Sequence, residues 1–576
     1  MARIIHHKKN NTTRWIIGGL IFALFLAITS IFLILYPFAS RVKEAYFKGE
    51  YPILFNGNQM GNALIDGKTL YVPLKFMKEN IDSQLFYDEK SKSVIITTKD
   101  KVIQMPAESL TYFVNQKPVK LQISPILSKE GQVFIALDSI LPFYPIQYEK
   151  LKESGAIWIQ RNGDSFRSGS IASGDENPEK LRLRVKPEWQ SPYTAETKKH
   201  ETVYIEDEKK DFYFVRKENG IGGYIRKEFV KPSQQVKIVV NRQQEKIHKP
   251  ALKAPIQLTW EAVYSRNPDF ESIPPMPGIN VVSPTWFSLT GADGTIKNLA
   301  SLEYSKRAKK KGYHVWPFSN GFDPELTHDA LKDYETRQKI IVQLLHFTQM
   351  YQLEGINFDI ENVNPEDWRL VTQLMREATP YLHEAGQTVS MDITFAAENS
   401  NWSTFYERKK LAQIADYLIV MAYDEHWGKT SGSGSVASLP WVESNLKNLL
   451  AEVPNERLIL GVPLFARLWK EVIQEDGSTE ITTKAFSMEK VKEWLAEHSL
   501  TPVYNPDSGQ NYAEYYSPDE KATYRIWIED GTSLSKRANL VNTYKLAGIA
   551  SWSRYFADQS AWTALQLNPK KEISKK

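Results

Sequence analysis

The sequence predicts an α/β chain whose C-terminal half is a (β/α)8 barrel, preceded by a transmembrane helix, a small α+β module and a small all-β module. Three observations carry this. From residue 255 onward, short apolar strands alternate with amphipathic helical stretches, the pattern of parallel β/α architecture. Residues 15–36, WIIGGLIFALFLAITSIFLILY, carry no charge, and about 20 apolar residues span a bilayer as a helix. Between these regions, short alternating strands are punctuated by turn residues. A length of 576 residues suits several domains, at roughly one per 150 residues.

In chain order, residues 1–14 form a basic tail with Arg3, Lys8, Lys9 and Arg14, expected in the cytoplasm, and residues 15–37 a signal anchor. Arg41, Lys43 and Lys48 follow closely, so the positive-inside bias is slight. The apolar run exceeds the roughly 7–15 residues of a signal-peptide core. The expectation is a single-pass protein of the cell membrane with its globular part outside the cytoplasm. Phe38-Ala39-Ser40 leaves cleavage and secretion as the alternative.

Residues 50–160 alternate short strands and turns, as in Asp66-Gly67 before Leu70-Tyr71-Val72-Pro73-Leu74. The order "DGKTLYVPLKFM", "FYDEKSKSVIIT" and "GQVFIALDSIL" resembles the stalk-like N-terminal domain of copper amine oxidases. That resemblance implies a spacer, and no His cluster accompanies it to suggest copper. Residues 161–180 read as a Gly/Ser-rich linker. Residues 181–233 hold four short strands and resemble a bacterial SH3-like β-barrel. Such barrels bind cell-wall peptides or act as spacers, and both readings stay open. A second linker is expected at 234–254, the barrel at 255–567 with an insertion at about 470–530, and a basic tail at 568–576.

Composition excludes several functions. No Cys is present, which removes disulfides, thiolate nucleophiles and thiolate metal sites. A formal charge of +4, with no basic run interleaved with aromatics, argues against nucleic acid. The 15 Trp, 28 Tyr and 26 Phe suit sugar stacking and core packing alike.

Eight barrel strands are expected at residues 256–264, 280–287, 314–318, 355–361, 388–394, 417–423, 457–464 and 548–552, with helices such as 329–351 and 365–381 between them. The fourth reads Gly355-Ile356-Asn357-Phe358-Asp359-Ile360-Glu361. Alternation puts Ile356, Phe358 and Ile360 on one face and Asn357, Asp359 and Glu361 on the other. The apolar face meets the helices, so the polar face points into a barrel interior that is normally apolar. There an amide and two carboxylates cost several kcal/mol unless used. Adjacent carboxylates repel, so one keeps its proton at neutral pH. Glu361, nearest the C-terminal end where barrel active sites open, is the expected proton donor, with Asp359 as its partner.

The run Glu354-Gly355-Ile356-Asn357-Phe358-Asp359-Ile360-Glu361 resembles the Asp-Gly-x-Asp-x-Asp-x-Glu hallmark of glycoside hydrolase family 18, in the manner of its bacterial spore-cortex and cell-wall branch. Glu354 and Asn357 depart from the hallmark, which puts the charge relay in question but not the donor. Met421-Ala422-Tyr423-Asp424 resembles the family's Met-x-Tyr-Asp motif, and Ile549-Ala550-Ser551-Trp552 its tryptophan floor. The resemblance implies catalysis by Glu361, Asp359 and Tyr423. It also implies substrate contacts from Asn357, Asp424 and Trp552, to which Trp286 and Trp316 are added as aromatics ending strands two and three. His426 has no second ligand at helical spacing, so neither a metal nor a cofactor is expected.

The implied activity is hydrolysis of β-1,4 bonds after N-acetylglucosamine in peptidoglycan, with the sugar's own acetamido group as nucleophile and net retention. A chitinase or chitooligosaccharide hydrolase is the alternative substrate reading. A non-catalytic glycan-binding envelope protein is the alternative of a different class.

Overall fold

The structure, a computed structural model, describes residues 12–35, 39–172, 178–241, 248–397, 400–428 and 432–567. Most of the N-terminal basic tail, the whole C-terminal one and parts of both expected linkers lie outside these residues.

Thr12–Leu35 is one helix, and its stretch Arg14–Phe32 is long and apolar enough to cross a membrane. Its side chains from Trp15 to Phe32 are almost all exposed, as suits a lipid-facing segment. The remaining chain divides into two compact units, residues up to 83 with 123–243, and residues 84–122 with 244–576.

In the first unit, residues 52–73 and 126–161 contribute two four-stranded sheets and residues 165–237 a seven-stranded antiparallel one. The expected linker at 161–180 needs correction. Ser165–Ile171 is a strand paired with both Thr202–Lys209 and Val230–Lys237. Its glycine reflects crowding rather than freedom: a Cβ at Gly169 would stand 3.1 Å from the Lys231 carbonyl oxygen and 3.3 Å from Ile205 Cδ1. The second linker is likewise shorter than expected, because Val230–Lys237 continues the sheet.

The second unit contains the barrel. Its strands are β1 (Ile256–Glu261), β2 (Val281–Pro284), β3 in two pieces (His314–Val315 and Phe318–Gly321), β4 (Gly355–Ile360), β5 (Thr388–Thr394), β6 (Tyr417–Met421), β7 (Leu458–Pro463) and β8 (Gly548–Trp552). All pair in parallel, and β8 closes the ring on β1. The first piece of β3 pairs with β2 and the second with β4. Ile356, Phe358 and Ile360 of β4 face outward into the core beneath the helices Tyr334–Met350 and Trp368–Glu384. A separate apolar cluster, including Trp260, Trp316, Tyr417 and Ile459, fills the barrel interior.

Within the 50–160 module, residues 84–122 pack separately from the rest. They form a five-stranded antiparallel meander that belongs to the barrel's unit. Ile95 and Val102 join the core beneath the barrel helices, with Phe86 packed against it. Polar contacts fix the seam. Asp88 Oδ1 accepts the Tyr334 N–H at 2.7 Å, Arg376 Nε donates to Thr97 Oγ1 at 2.7 Å, and Asn115 Nδ2 donates to Glu384 Oε2 at 2.7 Å. The insertion between β7 and β8 is a second five-stranded antiparallel sheet, from Phe465–Ile473 to Ala522–Ile528, with the helix Met488–Glu497.

Candidate active site

The polar face of β4 does point inward. Asn357 and Asp359 are 0% and 1% exposed, and Glu361, one residue past the strand, is half-buried at its C-terminal end. The Glu361 N–H donates to the Gly321 carbonyl at 2.9 Å, which fixes its backbone against β3. On the neighbouring strand β5, the same alternation turns Ser390 and Asp392 inward, both 0% exposed.

These groups form one chain of contacts. Ser390 Oγ donates to Asn357 Oδ1 at 2.6 Å, and Asn357 Nδ2 donates to Asp392 Oδ2 at 2.7 Å. The neighbouring Asp359 and Glu361 carboxyls act on each other, raising the first and lowering the second. Among the described residues neither Asp359 oxygen has a hydrogen-bond partner of good geometry.

Burial pushes Asp359 well above the usual carboxylate range, helped by the charges of Glu361 and Asp392. Burial does the same to Asp392, opposed by its bond from Asn357. Burial also brings Glu361 up to about 7, with Asp359 pulling down and the charge of Asp424 pushing up. A carboxylic acid poised near neutrality at the mouth of a barrel can deliver a proton and later take one back.

Two tyrosines face these acids. Tyr423, two residues past β6, is half-buried, and burial together with the charges of Asp392, Glu361, Asp424 and Asp359 keeps its hydroxyl protonated. It is therefore a hydrogen-bond donor. Tyr406 is buried, its hydroxyl donating to the Ile360 carbonyl at 2.9 Å, which braces the end of β4. Asp424, at φ +63°, is exposed and takes a 3.3 Å bond from Arg467 Nη2 on the first strand of the insertion. Trp552 ends β8 half-buried, its ring 5.9 Å from that of Trp260 and 6.4 Å from that of Phe318.

Three expected substrate contacts are corrected. Asn357 is sealed beneath the acids and bonded on both sides, so it orients Asp392 rather than touching a ligand. Trp286, 0% exposed, packs edge-on against Tyr304 at 5.3 Å and donates to Asn267 Oδ1 at 2.5 Å, in the layer outside the barrel. Trp316, also 0% exposed, stacks on Tyr417 at 6.2 Å and covers Gly355 at the start of β4, where a Cβ would lie 2.7 Å from its ring. Both tryptophans fall at strand ends in sequence, but neither side chain opens to the cleft. His426 bonds the Gly432 carbonyl through Nδ1 at 3.2 Å, a loop contact.

The sequence reading missed Asp392, Tyr406 and Arg467. Asp392 was findable, since Thr388, Ser390, Asp392 and Thr394 alternate as the polar residues of β4 do. Tyr406 and Arg467 come from irregular or inserted segments and carry no such signal. Five exposed aromatics also stand on segments following C-terminal strand ends: Tyr264, Phe322, Trp402, Trp427 and Tyr555.

Residues 265–557 match the model of the glycosyl hydrolases family 18, and residues 54–150 that of the copper amine oxidase N-terminal domain. The uncharacterized glycosylase YvbX of Bacillus subtilis (strain 168) is 26% identical over 47% of this chain and 78% of its own. The cortical fragment-lytic enzyme of the same organism is 22% identical over 43% of this chain and 57% of its own. Among solved structures, the spore cortex-lytic enzyme SleL of Bacillus megaterium QM B1551 aligns over 58% of this chain and 77% of that one, at 17% identity and a TM-score of 0.48. The family match spans more than half of the 576 residues and takes in the acids of β4, the tyrosine after β6 and Trp552 of β8. This chain therefore belongs to the glycosyl hydrolases of family 18 and is a glycoside hydrolase.

Proposed function

We propose that this protein is a membrane-anchored, extracytoplasmic hydrolase that cleaves the β-1,4 bond after N-acetylglucosamine in peptidoglycan. The observation that carries the reading is Glu361 at the barrel mouth, its carboxyl pushed up to about 7 by burial, with the buried Asp359 behind it. In the proposed sequence Glu361 protonates the glycosidic oxygen, and the acetamido carbonyl oxygen of the same sugar attacks the anomeric carbon. The C–O bond to the leaving sugar breaks and an oxazolinium ion forms. Glu361, now a carboxylate, takes a proton from water as that water opens the ion, giving net retention. Asp359 and Tyr423 orient the acetamido group, the tyrosine as donor to its carbonyl. Asp424 and Trp552 hold the sugar, the latter by stacking.

Peptidoglycan is favoured over chitin because relatives include a cortical fragment-lytic enzyme and because the stretch Arg14–Phe32 is a helix long and apolar enough to cross a membrane. Residues 181–233, read as SH3-like, serve in this picture as a wall contact or spacer. Chitin is the second reading, supported by 23% identity to the human di-N-acetylchitobiase over 39% of this chain. Mass spectrometry of peptidoglycan and of chitin oligosaccharides digested by the full chain tests the choice. New reducing N-acetylglucosamine ends from peptidoglycan, absent with Glu361→Gln, support the proposal. Cleavage of chitin oligosaccharides alone overturns the substrate, and normal cleavage by Glu361→Gln overturns the mechanism.

A further inference from the structure

The opposite end of the barrel holds a second cluster of titratable side chains that hydrolysis does not use. His383 lies in the last turn of the helix Trp368–Glu384, Asp416 directly precedes β6, and His248 lies on the segment leading to β1. All three are half-buried or more, and one ligand atom from each lies within 4.8 Å of the other two. Because strands β5 and β6 begin here and Glu361 follows the far end of β4, the cluster is remote from the cleft.

Its geometry is specific. His383 Nε2 and Asp416 Oδ2 are 3.0 Å apart, and the same carboxylate oxygen accepts the Val389 N–H at 2.9 Å, which fixes its direction. The rings of His248 and His383 stack at 3.8 Å and 9°. His248 Nε2 is buried without a hydrogen-bond partner. A buried imidazole nitrogen with no hydrogen-bond partner, beside a second imidazole and an oriented carboxylate, has the chemistry of an incomplete coordination shell.

We propose that His248, His383 and Asp416 bind a divalent transition-metal ion of the zinc class at the N-terminal end of the barrel. Two imidazoles and one carboxylate form a borderline donor set that suits zinc, with water in the fourth position. A 3.0 Å separation between His383 and Asp416 fits two metal bonds of about 2.1 Å meeting near a right angle. His248 closes the shell by turning its ring out of the stack on His383, since an imidazole nitrogen offers its lone pair in the ring plane and zinc–nitrogen bonds are ~2.1 Å. The Val389 N–H is the outer contact that aims the carboxylate.

The ion is structural. It fastens the segment ahead of β1 to the barrel base, where Leu252 packs against the interior cluster and its carbonyl accepts the Tyr417 hydroxyl at 3.5 Å. The three ligands stand at 248, 383 and 416, so no ligand spacing marks them in sequence. The proposal is independent of the substrate.

The test uses the full chain in detergent, stripped with a chelator and titrated with zinc sulfate, with metal analysis after gel filtration. One zinc per chain, a rise in Tm on binding and unchanged hydrolysis are expected. His248→Ala and Asp416→Asn each weaken binding about tenfold or more, the size of loss seen when a metal's supporting groups are removed. Cobalt loading adds a spectroscopic readout, a visible absorption band of the bound ion that His248→Ala removes. His248 stands ahead of the barrel, so its variant decides the matter even if Asp416→Asn fails to fold. Substoichiometric retention by the wild type, or equal retention by wild type and His248→Ala, overturns the site.

Discussion

Glu377 and Asp359 are equally hidden from water, 0% and 1% exposed, on opposite sides of the same barrel wall. Glu377, in the helix layer, receives Arg337 Nη2 at 2.9 Å and Nε at 3.1 Å, Gln373 Nε2 at 2.8 Å and Gln338 Nε2 at 3.3 Å. Asp359, in the interior, lies within the charge of two other carboxyl groups, Glu361 and Asp392, and among the described residues it has neither an ion pair nor a hydrogen-bond partner of good geometry. An acid that holds helices together is given a cation and saturated with donors. An acid that works is deprived of one, so that burial and like charge keep a proton in its group. Equal burial therefore marks two different jobs, distinguished by the partners.

The sharpest break of this contrast is Glu361→Gln. Loss of the donor is expected to lower the rate by roughly 10²–10⁴-fold, the usual contribution of general acid catalysis. Stability and affinity for a non-cleaved glycan stay close to wild type, as denaturant melts and binding titrations would show. On the structural side, Arg337→Met strands Glu377 and should cost about 3–5 kcal/mol of stability. Urea midpoints measure it, and a double Arg337→Met/Glu377→Leu change recovers most of the loss.

The two tryptophans extend the contrast to apolar groups. Trp316→Ala should destabilise by about 3–5 kcal/mol by opening a cavity inside the barrel. Trp552→Ala should chiefly raise KM and lower kcat, with a smaller shift in Tm. Equal loss of stability from both would erase the distinction between core and floor.

The smallest effect is in the pH profile. Glu361 in the folded chain titrates at about 7, above its ordinary value of 4.5. The folded state therefore holds more protons between these values than the unfolded one. The stability associated with that proton is fully present below pH ~4.5 and is lost as pH rises through ~7. Activity falls over the same upper limb, because the protonated donor disappears. Glu361→Gln should flatten the stability slope between pH 5 and 7, and an unchanged slope would assign the proton elsewhere in the coupled acids.

Much of this was legible in the sequence, and what was not follows from side-chain direction and long-range packing. The period-two pattern of β4 revealed its inward acids, because alternation holds wherever one face is apolar. The same rule fits Ser390 and Asp392, which went unread only because Met391 and Ile393 made β5 look like ordinary core. Trp286 and Trp316 misled because proximity to a strand end does not say whether a ring turns to the cleft, the interior or the helices. Ser165–Ile171 was hidden by composition, since its exposed and half-exposed serines and the crowded Gly169 read as a loop does. The association of residues 84–122 with the barrel carries no local signal. It depends on Asp88 meeting Tyr334 and Arg376 meeting Thr97, pairs more than 200 residues apart.

That meander has a consequence for anyone who would cut the molecule. The chain passes between the two compact units three times, after residues 83, 122 and 243. A nick in the segment 242–247 therefore frees no catalytic fragment, since the severed N-terminal piece still grips the barrel helices through its own β-strands. Conversely, a gene trimmed to begin at residue 255 yields a barrel with a bare apolar scar where Ile95 and Val102 belong.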